Sequence, residues 1–121
     1  REVVDELSEE MKLEKIVDAG AVLRALKEEK AVAKDATWKH VPFHRPHENG
    51  ATPSGYSGRI GIYEVLPVTA TIKELMMKEN GGSEMEARAR SEGMLTMTED
   101  GIFKAAQGVT SIEEVLRVIT E

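Results

Sequence analysis

Three histidines, His40, His44 and His47, fall within eight residues and are the densest set of metal-ligating side chains in the sequence. On a helix, His40 and His44 would share a face at a spacing that suits zinc. Pro42 stands between them and breaks regular helix there. The cluster therefore reads first as loop histidines, with a zinc site as the alternative.

A second candidate is glycine-rich. Gly55, Gly58 and Gly61 flank Tyr56 and Arg59. A phosphate cradle needs glycines that open a helix, where amide groups and the helix dipole converge. These glycines run instead into an extended apolar stretch, which points to a tight turn and close backbone packing. Arg59, beside that turn, carries a guanidinium suited to carboxylates or to anchoring a loop. Its plainer reading is an ion pair with Glu64 or with an acid of the terminal helix. Glu99 and Asp100 form an acidic pair whose place in the first turn of an expected helix is explained by the dipole. Met76, Met77, Met85, Met94 and Met97 resemble a soft packing surface between small helices, and Met76, Met77, Met94 and Met97 are candidates for a partner contact. The chain contains no G-x-x-x-x-G-K-[ST], G-x-S-x-G, H-E-x-x-H or EF-hand loop. No catalytic site is expected in these residues taken alone.

The elements that must position these groups differ along the chain. Residues 1–36 are charged and alanine-rich, with Leu13, Ile16, Val17, Val22, Leu23 and Leu26 near helical spacing. One interrupted or two short helices are expected there, capped by Ser8 and weakest at Gly20. Residues 37–57 hold three of the four prolines and all three histidines, and read as a connector with a turn at Asn49-Gly50. A short extended segment is expected at 39–44. Residues 58–68 read as the one convincing strand, with Ile60, Ile62, Glu64 and Leu66 on one face and Gly61, Tyr63 and Val65 on the other. Both faces are mainly apolar, so this strand needs cover on two sides and neighbours to pair with. Its sheet is expected to lie partly outside the chain. Residues 69–121 read as four short helices. Thr71/Glu74, Ser83/Glu86, Thr96/Glu99 and Thr110/Glu113 all have capping-box spacing. Gly81-Gly82, Gly93 and Gly108 stand where the first three should stop.

Composition narrows the function classes. In 121 residues, 16 Lys+Arg face 22 Asp+Glu, a formal charge of -6. The basic residues are scattered, which argues against nucleic acid as a partner. With 40% hydrophobic and 31% charged residues the chain is of ordinary globular type. No apolar run reaches the ~18–20 residues of a membrane span, and no signal-peptide pattern opens it. The absence of cysteine excludes disulfides and thiolate metal sites. A start at Arg1 rather than methionine leads one to expect an excised or processed piece.

Two stretches, GYSGRIGIYEVL at 55–66 and MLTMTEDGIFKAAQGVTSIEEVLRV at 94–118, carry a family resemblance. The sequence resembles the C-terminal end of the type II secretion and type IV pilus assembly ATPases. Gly55, Tyr56, Gly58, Arg59, Gly61, Ile62, Tyr63 and Glu64 match the family's T-G-Y-x-G-R-x-G-I-Y-E stretch. Gly93, Met94, Thr96, Glu99, Asp100, Gly101, Lys104, Gly108, Thr110, Glu113, Glu114 and Val115 match its second segment. The resemblance runs in register over 55–121.

The resemblance implies a mainly helical α+β chain, with short strands and a C-terminal four-helix subdomain, that is a fragment of a RecA-like α/β ATPase. The nucleotide site would lie upstream, in a core that assembles as a cytoplasmic hexamer and also supplies the sheet partners of 58–68. ATP and magnesium would belong to that parent and no cofactor to this chain. The family's tetracysteine zinc region would place one pair at Glu48 and Ala51 and the other near Val4 and Leu7, so zinc is not expected here. The implied role is to support inter-subunit contacts and motion while an inner-membrane platform protein is driven through the parent, with no direct membrane insertion. Two rival classes stand beside it: a stand-alone interaction module and a small histidine-based metal-binding regulator.

Overall fold

The structure, a computed structural model, describes residues 18–37, 40–78 and 82–120. The expectations at Val4, Leu7, Ser8, Leu13, Ile16 and Val17 lie outside the described residues, as does Gly81.

Helix α1 spans Ala19–Glu28. Asp18 caps it, its carboxylate accepting the Ala21 N–H at 3.1 Å. Gly20, expected as an interruption, sits within the first turn. Val22 and Leu26, one turn apart, put the apolar stripe on one face and both are fully buried. The helix ends with Lys30 at φ 57, where the Lys30 and Ala31 amides return to the Lys27 and Leu26 carbonyls.

The four helices expected after residue 68 are present as α2 (Ala70–Met77), α3 (Gly82–Ser91), α4 (Met97–Ala106) and α5 (Ile112–Thr120). Helices α2 and α3 form a hairpin around Ile72, Ala89 and Met94. Helices α4, α5 and α1 share the larger core, in which Val22, Leu26, Ile102, Ala105, Ile112, Val115 and Leu116 surround Val41 from the connector. Each of the larger side chains contributes about 1.5–3 kcal/mol by leaving water. Gly93 and Gly108, at φ 101 and 78, stop α3 and α4. In both, the following amide reaches back to close the last turn, from Met94 to Ala89 and from Val109 to Lys104.

Of the four capping boxes, one forms. Thr96 and Glu99 cap α4 reciprocally. Helix α2 is capped by Thr69 rather than Thr71, and Ser83 lies inside α3. At α5 it is Ser111, not Thr110, whose hydroxyl accepts the Glu114 amide.

The fold is mainly helical, and no strand forms among the described residues. The strand read over 58–68 is therefore corrected to an extended segment without a ladder, and of the extended segment expected at 39–44 the described residues, 40–44, form no strand. The reason is physical: a strand exists only by pairing with another, and the described residues supply no second one. No helix among the described residues is long and apolar enough to cross a membrane.

Candidate functional site

Residues 61–64 lie as a strap across the start of α4, and the two hold each other reciprocally. The Asp100 carboxylate, on the first turn of α4, accepts the Tyr63 N–H at 2.8 Å. In return the Glu64 carboxylate accepts the Met97 N–H at 3.3 Å. Met97 opens α4, so its amide has no partner within the helix, and a carboxylate there also meets the positive end of the dipole. Lys104, one turn beyond Asp100, donates to the Gly61 carbonyl at 2.6 Å and to Asp100 at 2.7 Å. Its ammonium lies 4.7 Å from the Tyr63 ring centroid, within cation–π range. Strap and helix thus form a clasp of charge-assisted bonds, the stronger kind.

The neighbouring residues of the same turn reach other elements. Glu99 is fully buried. One of its oxygens accepts the Asp18 N–H at 2.9 Å and the Arg90 guanidinium, while the other accepts the Thr96 N–H at 2.9 Å. Burial opposes ionisation, but the Asp18 and Thr96 amides and the Arg90 guanidinium outweigh it and hold the Glu99 carboxyl below the usual glutamate range. The same contact raises Arg90. The capping-box spacing of Thr96 and Glu99 anticipates the Thr96 contact, but neither it nor the dipole reading of Glu99 and Asp100 reaches Asp18 or Arg90. Gly101 faces α5 so closely that a Cβ there would come 2.6 Å from Val115 Cγ1. Along the run, Glu99 therefore meets α1 and α3, Asp100 and Lys104 meet the strap, and Gly101 meets α5.

Upstream of the strap, Gly55 and Gly58 hold positive φ of 75 and 72 in the turn. The Tyr56 hydroxyl bonds the buried Ser111 hydroxyl at the start of α5. Between this turn and α5 runs an open groove of about 720 Å³, lined by Tyr56, Arg59, Ile60, Ile62, Val109 and Val118 among others. Arg59 makes no ion pair among the described residues, so the pairing expected for it is not formed. Glu64 is engaged at Met97, and Glu114, the acid lining the groove from α5, is held by Arg117 at 2.7 Å, which lowers its carboxyl.

Beyond the clasp, the extended segment is open. Ile60, Tyr63, Val65, Leu66 and Val68 are all exposed, Val65 at 70%. Of the methionines proposed as a contact surface, Met76, Met77 and Met97 are exposed, Met77 at 84%. Met94 is buried against Ile72 and Ala89 and takes no part in that surface.

The histidines do not converge. His40 Nδ1 accepts the Thr37 N–H and lies 2.9 Å from its hydroxyl, and the His44 ring lies against Gly108. No group of three His, Cys, Asp or Glu side chains placed to hold a metal occurs among the described residues. At the position of the family's second cysteine pair, Glu48 and Ala51 are exposed, and the Asn49 side chain closes the loop by accepting the Ala51 and Thr52 amides at 2.9 Å. A carboxylate and a methyl group do not fit a thiolate zinc site.

The clasp was not legible as a site, because its partners stand 33 to 43 residues apart. Only the i,i+4 relation of Asp100 and Lys104 was a local signal.

Against known proteins, the family model described as "Type II/IV secretion system protein" matches residues 6–117. The chain is 47% identical over 76 residues to the type II secretion system protein E of Xanthomonas campestris pv. campestris, covering 63% of this chain and 13% of that protein. It is 45% identical over 65 residues to the type IV pilus assembly ATPase PilB of Pseudomonas aeruginosa, covering 54% and 12%. With the type II secretion system ATPase E of Vibrio cholerae it shares 43% over 67 residues, covering 55% and 13%. The chain thus spans about an eighth of the length of these relatives. No solved structure matches it.

Proposed function

The chain belongs to the type II/IV secretion system protein family, and from that premise we propose that it is the C-terminal part of a secretion or pilus assembly ATPase whose nucleotide chemistry lies in an upstream core. The observation that carries this reading is the clasped but unpaired segment 58–68. An extended stretch with exposed apolar side chains on both faces is unstable as a free edge and calls for sheet partners and cover. The reading supplies them from the parent, in which 58–68 becomes a strand of a RecA-like sheet and Arg59 meets a carboxylate of the core. The short coverage of the relatives supports a longer parent.

In this reading the residues described above position and transmit. ATP with magnesium, bound in the upstream core, supplies the phosphoryl-transfer free energy. The strap moves with the core sheet, and the Glu64, Asp100 and Lys104 contacts carry that movement to α4 and the helical subdomain of 69–121. That subdomain supports contacts between subunits of a hexamer, and through the parent the machine works on an inner-membrane platform protein from the cytoplasmic side.

The test is the reading frame upstream of the Arg1 codon. A G-x-x-x-x-G-K-[ST] followed by acidic boxes within a few hundred codons is the expected result. A start codon immediately before Arg1 would overturn the reading and leave a detached module that binds a partner through Met76, Met77 and Met97, whose exposure favours that second reading.

A further inference from the structure

The first turn of α4 is gripped from two sides by consecutive acids. Glu99 takes the amide that begins α1 and the guanidinium of α3. Asp100 takes the strap amide and the Lys104 ammonium. Glu64 closes the strap onto the Met97 amide at the same turn. Adjacent residues of one helical turn move as a unit, and hydrogen bonds weaken steeply as distance and angle depart from their optimum. A displacement that relaxes the strap side must therefore alter the α1 side. The α2–α3 hairpin differs, since it has its own apolar cluster, and among the described residues its ion pair with α4 is that of Arg90, whose long, one-third exposed side chain can follow Glu99 without moving α3.

We propose that the first turn of α4 is a coupling junction: loosening the 58–68 segment from its clasp loosens α1, and fraying α1 loosens the clasp. Asp18 and α1 then become a point from which the strap is controlled, or at which its movement is read out. The coupling depends only on contacts within this chain. Its failure would leave the assignment to a secretion ATPase untouched, and failure of that assignment would leave the coupling standing.

Hydrogen exchange resolved by residue tests it on the 121-residue chain with three variants. Glu64→Gln weakens the strap contact alone, Asp100→Asn weakens the strap contact together with the Asp100–Lys104 pair, and Asp18→Ala removes the side-chain cap of α1. Removing a charge-assisted bond speeds exchange at the strap by roughly 10- to 100-fold. A coupling of ordinary size passes about 5- to 10-fold of this to the amides of 22–28. The amides of α2 and α3 should change less than about twofold. Since coupling is reciprocal, Asp18→Ala should speed exchange of the Tyr63 amide by a similar factor. Acceleration confined to 61–64 would overturn the proposal. So would an even acceleration that includes α2 and α3, or a Tyr63 amide unmoved by Asp18→Ala.

Discussion

Replacing Glu99 by glutamine tests how much of the fold hangs on one carboxylate. The substitution keeps the size and leaves one acceptor oxygen, but removes the charge and turns the second oxygen into a donor. Three groups then lose an ionised partner: the Asp18 amide, the Thr96 amide and the Arg90 guanidinium. Breaking a buried ion pair from one side costs about 3–5 kcal/mol. Here the Glu99 side chain is 1% exposed but Arg90 is 33% exposed, so the abandoned guanidinium can turn to water. The lower end, about 3 kcal/mol, is therefore the right size. For a chain of this length about 4 °C accompanies each kcal/mol, so the thermal midpoint should fall by about 12 °C. Far-UV circular dichroism on heating reads this directly. Glu113→Gln, on the exposed first turn of α5, is the control, with an effect within about 0.5 kcal/mol.

The pH dependence checks the cause. The folded carboxyl of Glu99 lies below its ordinary value. Its contribution is therefore fully present above the unfolded value of about 4.3 and is lost as pH falls through the folded one. The gap between wild type and Glu99→Gln should be constant near neutrality and close from about pH 4 downward. A fall in midpoint no larger than that of the control, or a gap that stays open in acid, would refute the reasoning.

Two further substitutions probe backbone positions. Gly101→Ala places a Cβ 2.6 Å from Val115 Cγ1, and despite the helix propensity gained it should destabilise by about 1–2 kcal/mol in urea unfolding. Lys30→Gly relieves the positive φ of 57 at the end of α1 and should stabilise by about 0.5–1 kcal/mol in the same assay, because the left-handed penalty exceeds the added unfolded-state entropy.

How far the sequence could be read follows from which partner each signal needed. Apolar spacing found α5, since Ile112, Val115 and Leu116 bury the face that the pattern assigns to them. The stops at Gly93 and Gly108 were legible because a left-handed residue is a local requirement. The segment 58–68 was legible in pattern but not in state, because pairing needs a second strand. The caps show the limit most clearly. Hydroxyl-x-x-Glu spacing occurs five times, since Ser111/Glu114 also has it beside Thr110/Glu113, yet α2 starts from Thr69, which lacks it, and α5 from Ser111 rather than Thr110. Each hydroxyl that caps α2 or α5 also has a distant partner: Thr69 donates to Glu92 at the end of α3, and Ser111 bonds Tyr56. The one box that forms, at Thr96, does so where Glu99 is also gripped by Asp18 and Arg90. Neither Thr71 nor Thr110 makes such a contact among the described residues. Local spacing nominates several helix starts at nearly equal free energy, about 1 kcal/mol apart at most. The tertiary contact then selects among them, and the clasp too is built from contacts distant in sequence. A motif of this kind therefore appears in sequence as scattered single residues and becomes one object only when α4 brings its turn against the strap.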